Sequence, residues 1–209
     1  MSRTATIENG FAVIDAGTWL TGRGQPAAFF GEVVRRRRKG WFLRDRSSLD
    51  LVETTGRVWC ADASRPFLTH VPCAAPVNAV SAKVLVAPAS ARTGAELVKI
   101  VPMSARRALC ATVFGTDWVV MGTASRTTRI SVADGETLAV RPEAVVAWTG
   151  NRPTGFVRRL GIWDVLLPRT PRDLMLHFHG PCIVWLEGSS HLAAKRRNHL
   201  AINRRTYGI

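Results

Sequence analysis

The sequence predicts an all-β protein, built as an antiparallel β-sandwich or barrel, and three observations carry this prediction. Short segments rich in Val, Ile, Thr and aromatic residues recur about every ten residues, and Gly, Pro or Asp bounds most of them. Long segments with the 3.6-residue apolar period of a helix are almost absent. The chain has 209 residues, is 46% hydrophobic and contains seven tryptophans, which supplies enough apolar surface for a sizeable core.

Ten segments have the composition and length of strands. In chain order they are RVWCA (57–61), AKVLVA (82–87), ELVKIV (96–101), ALCATVF (108–114), DWVVMG (117–122), TRISV (128–132), ETLAV (136–140), EAVVAW (143–148), DLMLHFHG (173–180) and CIVWLEG (182–188). Asp134-Gly135 lies between two alternating strands and favours a tight hairpin turn. Gly-Pro within HGPC (179–182) favours another bend.

One helix is predicted, over residues 189–205, where Ser supplies a cap and Ala, Lys and Arg are good helix formers. The Pro-containing segment 62–81 divides the chain into an irregular N-terminal β part with a basic segment (1–81), a regular β domain (82–190) and a basic C-terminal tail (191–209). The parts are compatible with one shared core, and no internal repeat is evident.

The net charge of +14 is concentrated in two patches. Residues 33–46 carry +6 and residues 188–209 carry +5, which leaves only +3 for the rest of the chain. Such patches can bind the phosphates of RNA or DNA, or an anionic membrane surface, but they can equally be solvated surface. Trp41 lies within the first patch, directly after the basic run 35–39 and Gly40, and can either stack on a base or anchor the core. The candidate polyanion-binding residues are Arg35, Arg36, Arg37, Arg38, Lys39, Trp41, Lys195, Arg196, Arg197, Arg204 and Arg205.

The cysteines and histidines give little support to a metal centre. Cys60, Cys73, Cys110 and Cys182 form no C-x-x-C pair, and their sparse spacing suits a reducing compartment. With no signal peptide or membrane-spanning apolar helix in the sequence, we expect a cytoplasmic protein.

His177 and His179 lie two residues apart and therefore on one face of a strand, with Cys182 close behind as a third potential ligand. The alternative is that both histidines hydrogen-bond to neighbours or water. The trio is a weak metal candidate, and no cofactor is predicted.

No pattern of catalytic residues is present. LTGRGQP (20–26) lacks the Lys-Ser/Thr of a phosphate-binding loop, and no G-x-S-x-G segment occurs. Trp118, Trp148 and Trp185 lie inside strand patterns, which predicts core positions rather than a site. The sequence therefore predicts a protein that is not an enzyme.

The segments VLVAPASARTGAELVKIVP, SVADGETLAVRPEAVVAWTG and LMLHFHGPCIVWLEG together resemble the altered-inheritance-of-mitochondria protein family, number twenty-four of that series. The resemblance covers about residues 83–190. The residues that match its pattern are Gly135, Pro142, Trp148, Gly180, Pro181 and Trp185, and they would have turn and core roles. The basic run VRRRRKGW, the N-terminal third and Cys182 depart from the pattern.

This resemblance implies an all-β fold like that of the tryptophan-RNA-binding attenuation proteins, and a homo-oligomer with no established catalytic residues. The fungal member of the family is associated with organisation of the inner mitochondrial membrane. The leading functional hypothesis is a non-enzymatic, oligomeric scaffold or interaction protein. The alternatives are a nucleic-acid-binding protein that uses the two basic patches and a metal-dependent enzyme built on the His177 trio.

Overall fold

The computed structural model describes residues 5–22, 25–36, 49–99, 107–115, 118–157 and 174–188. The regular structure of these residues is almost entirely antiparallel β-sheet, in nineteen strands, which confirms the predicted all-β sandwich class. The predicted helix over 189–205 lies outside the described residues. Within the described part of the chain, no helix is long and apolar enough to cross a membrane.

Three consecutive parts of the chain fold with the same strand pairing, and we call them repeats 1, 2 and 3 (residues 5–61, 67–123 and 127–187). In each repeat the first strand pairs with the sixth and the sixth with the third. Separately, the second strand pairs with the fifth and the fifth with the fourth. The fold therefore contains an internal repeat of strand pairing, which the sequence did not reveal. Backbone hydrogen bonds maintain the pattern while side chains at equivalent positions differ, as Trp19, Val77 and Leu138 do.

Repeat 1 contains one additional edge strand, β1, before the six strands of the pattern. Its strands are β1 (Thr6–Glu8), β2 (Phe11–Ile14), β3 (Gly17–Thr21), β4 (Gln25–Phe29), β5 (Val33–Arg36), β6 (Asp50–Thr54) and β7 (Val58–Ala61). The first strand of the pattern in repeat 1 is therefore β2, the second is β3 and the third is β4. Asn9 and Gly10 have φ values of 49° and 82°, so they form the two-residue primed turn that joins β1 to β2.

Repeat 2 is the central unit of the fold. Its strands are β8 (Phe67–Pro72), β9 (Val77–Val80), β10 (Val84–Pro88), β11 (Arg92–Lys99), β12 (Arg107–Phe114) and β13 (Trp118–Thr123). Short 3₁₀ turns at Ser81–Lys83 and Ala89–Ala91 lead into β10 and β11. The boundary predicted at 62–81 thus coincides with β8 and β9, which pair with strands on its C-terminal side.

Repeat 3 completes the described chain. Its strands are β14 (Thr127–Val132), β15 (Thr137–Val140), β16 (Val145–Thr149), β17 (Thr154–Val157), β18 (Leu174–His179) and β19 (Cys182–Glu187). A 3₁₀ turn at Pro142–Ala144 precedes β16.

The hairpin predicted at Asp134-Gly135 is wrong, although the turn itself is present. Glu136 N–H donates to the Ala133 carbonyl at 3.1 Å, but β14 pairs with β19 and β15 with β18. Gly135 has a φ of 78°, but Asp134 does not have a positive φ, because Asn9 is the only residue other than glycine that has one in the described part of the chain. A positive φ at the third turn residue alone indicates a type II turn, which does not match the twist of a hairpin. The chain therefore crosses from one sheet to another here.

Two six-stranded sheets join the repeats. The first has the order β5-β6-β3-β10-β13-β8 and combines repeats 1 and 2, whereas the second has the order β11-β12-β9-β16-β19-β14 and combines repeats 2 and 3. In both, the second strand of one repeat pairs with the third strand of the next. Two smaller sheets remain at the ends, β1-β2-β7-β4 and β15-β18-β17.

The hydrophobic core is shared between neighbouring repeats. One cluster combines Leu20 of repeat 1 with Phe114 of repeat 2 and Val146 of repeat 3, and all three are buried. Trp118, Trp148 and Trp185 are buried as the strand patterns predict. Because each repeat buries its apolar surface against the next, we expect the repeats to be stable together rather than singly.

Cys60 gives a prediction about alkaline stability. Burial raises the pKa of its thiol from 9.0 to about 11. Because the folded protein keeps this proton longer than the unfolded chain, the stabilisation is complete below pH 9 and is lost as the pH rises towards 11. The expected loss is about 2–3 kcal/mol. Unfolding free energies of the wild type and Cys60→Ala across this range test it, since the variant should lose less stability. If the unfolding free energies of the two proteins fall equally with pH, the loss of stability does not come from Cys60.

Candidate interaction surface

The basic segment begins on an edge strand, where its first two arginines are paired with acids. Arg35 and Arg36 lie on β5 and contact Asp50 and Glu53 of the adjacent strand β6, at 2.5 Å and 3.3 Å between nitrogen and oxygen. The charge of these two candidates is therefore balanced locally, which reduces what they can offer to a phosphate. Of the other predicted polyanion-binding residues, Arg37, Arg38, Lys39, Trp41, Lys195, Arg196, Arg197, Arg204 and Arg205 lie outside the described residues.

The two histidines lie on one face of β18, as their spacing predicts. Leu174, Leu176 and Phe178 point into the core, and the intervening positions point outwards. His179 is exposed and contacts Thr137 and Thr154 through its two ring nitrogens, with Nδ1 at 3.0 Å and Nε2 at 3.4 Å from the hydroxyl oxygens. The neighbouring strands β15 and β17 supply these hydroxyl groups.

Cys182 does not join the histidines. Its side chain packs in the hydrophobic cluster with Phe178 and Val184, on the buried side of the sheet. Burial also raises the pKa of its thiol, whereas a metal ligand requires the thiolate. Among the described residues, no group of three His, Cys, Asp or Glu side chains could hold a metal ion. The proposed trio is therefore wrong, because the alternation of the strand and the following turn separates its members.

A buried ion pair, which sequence reasoning missed, links repeats 2 and 3. Lys83 Nζ lies 3.1 Å from Glu187 Oε1, and the two side chains are only 12% and 7% exposed. Lys83 also donates to the carbonyls of Glu143 and Val145 at 2.7 and 2.8 Å. Desolvation lowers the pKa of Lys83, and the Glu187 carboxylate partly opposes this effect.

This ion pair has a structural rather than a catalytic arrangement. A lysine ammonium has three hydrogens to donate, and Lys83 has three acceptors around it. Ala124 N–H, at 3.3 Å, occupies the second carboxylate oxygen of Glu187. The partners come from segments far apart in the chain, so no local pattern marks the pair.

A cavity of about 300 Å³ lies beside the junction of repeats 1 and 2. Its lining is Leu20, Leu51, Ala89, Arg92, Thr93 and Gly94. Thr93 Oγ1 donates to the Val113 carbonyl, and Arg92 is the cationic side chain of the lining. None of the residues predicted as site candidates lines this cavity.

Large exposed hydrophobic side chains concentrate at the edges of the sheets. In the described part of the chain they are Ile7, Phe29, Phe30, Val34 and Phe67. Ile7, Phe29, Val34 and Phe67 lie on the edge strands β1, β4, β5 and β8, and Phe30 directly follows β4. An uncovered apolar edge strand favours pairing with another chain. The edges are therefore the surface of this fold best suited to an interaction.

The edge formed by β4 is the most apolar of these surfaces. Phe29 is 54% exposed and Phe30 is 71% exposed. The Phe30 ring contacts Trp59 edge to face, with ring centroids 5.6 Å apart, and the Arg57 guanidinium lies 5.8 Å from the centre of the Trp59 ring. We call Phe29, Phe30, Arg57 and Trp59 the β4 patch. Sequence reasoning missed it because an aromatic residue in a strand is ordinarily a core residue.

Comparison with solved structures supports the fold. The chain is similar to a protein from Streptococcus pyogenes whose crystal structure was determined by the Northeast Structural Genomics Consortium, with a TM-score of 0.70 and 10% sequence identity. The similarity covers 95% of this chain and 99% of that chain. No protein-family model matches the chain, and no curated protein matches it. At this identity the likeness concerns the fold alone, and membership of the family that residues 83–190 resemble stays a prediction.

Proposed function

We propose that this protein is a non-enzymatic, β-rich scaffold that assembles with itself through the edges of its sheets. The observation that carries the proposal is the β4 patch, where Phe29 is exposed on a strand that ends its sheet and Phe30 is exposed directly after it. Exposed apolar groups rimmed by polar residues mark protein interaction surfaces. A non-catalytic role fits this surface, because it offers mainly aromatic side chains and backbone groups, with Arg57 as the charged member of the patch.

The energetics of the β4 patch favour association. Covering a largely exposed phenylalanine contributes about 1–2 kcal/mol, and pairing an open strand adds backbone hydrogen bonds. Arg57 and Trp59 can extend the contact, since arginine and aromatic residues are enriched in interfaces. This combination fits a homo-oligomer better than a ligand site for a small molecule.

We propose a cytoplasmic location for this scaffold. All four cysteines are free thiols, and Cys60, Cys73 and Cys182 are buried. Unpaired cysteines suit a reducing compartment.

Sedimentation velocity over a wide range of protein concentrations tests the scaffold. We expect the wild type to form an oligomer, and Phe29→Lys to raise the dissociation constant about tenfold or more, which equals about 1.4 kcal/mol. Phe67→Lys is the matched control, because Phe67 is an exposed phenylalanine on a different edge strand. A monomer at every concentration would refute the scaffold.

Nucleic-acid binding through the basic patches, and its anionic-membrane variant, stay predictions. The pairing of Arg35 and Arg36 with acids favours neither of them. If single-stranded oligonucleotide binds the wild type, its affinity should fall with salt with a log–log slope of about −0.7 per neutralised phosphate.

A further inference from the structure

Strand pairing between the repeats follows one rule. The second strand of a repeat pairs with the third strand of the next, so β3 pairs with β10 and β9 pairs with β16. The registers are equivalent: Thr21, Leu20 and Trp19 face Val86, Ala87 and Pro88, whereas Ala79, Asn78 and Val77 face Ala147, Trp148 and Thr149. These residues are buried, except for the half-buried Thr149.

Among the described residues, two strands that this rule should pair have no partner on one side. β4 is the third strand of repeat 1, which no repeat precedes in the described chain, and it ends the sheet β1-β2-β7-β4. β15 is the second strand of repeat 3, which no described repeat follows, and it ends the sheet β15-β18-β17. The two open edges are therefore the two halves of one junction.

We propose that β4 of one molecule pairs antiparallel with β15 of a second copy, in the register that joins the repeats within the chain. This inference rests on the proposed self-assembly and names its strands. A β-bulge fixes the register on the β4 side. The bulge follows Pro26 in β4, Val84 in β10 and Val145 in β16, so these three residues are equivalent. Ala28 is thus equivalent to Val86 and Ala147.

The register on the β15 side follows from the segment that joins β15 to β16. The same number of residues separates Ala79 from the bulge residue Val84, Thr21 from Pro26, and Val140 from Val145. Val140 is therefore equivalent to Ala79. The predicted pairs between the two molecules are Ala28 with Val140, Phe29 with Ala139 and Phe30 with Leu138.

Exposure of these side chains supports a missing partner. Phe29 is half exposed, yet the equivalent Ala87 and Trp148 are fully buried in the two closed junctions. Ala139 is exposed, whereas the equivalent Leu20 and Asn78 are buried in the closed junctions. The large side chain of Phe29 would face the small side chain of Ala139, so the two edges are complementary in size at the centre of the contact.

A second copy is the occupant because it supplies both missing strands. Within one chain, repeats 1 and 3 each share a six-stranded sheet with repeat 2, and the described residues include no strand pairing between repeats 1 and 3. A head-to-tail contact uses β4 of one molecule and β15 of the next, and so leaves a free edge at each end. Assembly then continues until the array closes into a ring or grows as a filament.

Cysteine cross-linking tests the register. In the closed junction, Thr21 and Val86 form a non-hydrogen-bonded pair, because Gly22 N–H donates to the Leu85 carbonyl at 3.1 Å. Side chains approach most closely at such pairs, and Ala28 with Val140 is the equivalent one. We expect an equimolar mixture of Ala28→Cys and Val140→Cys to form a disulfide-linked dimer under mild oxidation by copper phenanthroline. Peptide mass spectrometry should locate the bond between the two introduced cysteines.

Three controls make the result decisive. Each variant oxidised alone should give at least about tenfold less of this dimer, and so should a mixture of Ala28→Cys with Thr128→Cys on the different edge strand β14. The double variant Ala28→Cys, Val140→Cys should give a ladder of covalent oligomers. A monomer with an internal disulfide would overturn the proposal, because β4 and β15 would then pair within one chain.

The outcome separates this inference from the scaffold proposal. If sedimentation shows an oligomer but the mixture gives no specific disulfide, the pairing of β4 with β15 is wrong and the scaffold proposal stands. If sedimentation shows only a monomer, both are wrong.

Discussion

Replacing Lys83 with methionine is expected to lower the free energy of unfolding by about 3–5 kcal/mol. The variant leaves the Glu187 carboxylate buried without its cation, and the carbonyls of Glu143 and Val145 without their donor. A loss of this size is a large part of the total stability of a domain. Urea unfolding followed by tryptophan fluorescence measures it, since seven tryptophans report on the core.

A double-mutant cycle assigns the loss to the ion pair. Glu187→Gln should also be destabilising, and the double variant should lose less than the sum of the two single losses. Arg36→Met is the matched control, because its ion pair with Glu53 is solvent-exposed and should contribute less than about 1 kcal/mol. If Lys83→Met is no more destabilising than Arg36→Met, the pair does not stabilise the contact between repeats 2 and 3.

Replacing Trp148 with alanine is expected to cost about 3–5 kcal/mol. Its ring is fully buried on β16 and meets Phe178 edge to face, with ring centroids 5.8 Å apart. Trp148 also faces Asn78 across the junction of repeats 2 and 3. The cavity that the alanine variant creates would therefore lie where the two repeats share their core. Thermal and urea unfolding with circular dichroism measure the change.

Phe67→Ala is the control for Trp148→Ala. Phe67 is 41% exposed on the edge strand β8, so its truncation should cost less than about 1 kcal/mol. Equal losses for the two variants would mean that the junction between repeats 2 and 3 does not depend on the buried ring.

The strands of the fold were predictable wherever the sequence alternates. All ten predicted strand segments overlap strands of the structure, because β-branched residues, aromatics and a period of two are local features. β1 and β2 were missed, although Asn9-Gly10 carries a strong hairpin signal, because β1 is short and wholly exposed. β9 was missed because Pro76 and Asn78 are disfavoured in strands, so its segment looked like a boundary between parts of the chain. The mutual pairing of strands was not predictable, as the Asp134-Gly135 turn illustrates.

The candidate surface was predictable only in part. The sequence identified Arg35 and Arg36 as charged, but their pairing with Asp50 and Glu53 depends on β5 lying beside β6. It placed His177 and His179 on one face, but it could not place Cys182 in the core. Phe29 and Phe30 look like core residues in the sequence, and only the position of β4 at a sheet edge exposes them.

The sequence by itself determined that this protein is an antiparallel β-protein with buried tryptophans, because strand propensity and alternation act between neighbouring residues. The tertiary structure alone decided the three repeats, the Lys83–Glu187 ion pair and the two open edges. Each of these depends on hydrogen bonds or charges that join residues far apart in the chain. Side chains at equivalent positions of the repeats differ, as Phe29, Ala87 and Trp148 do, so the repeated pairing leaves no repeated sequence.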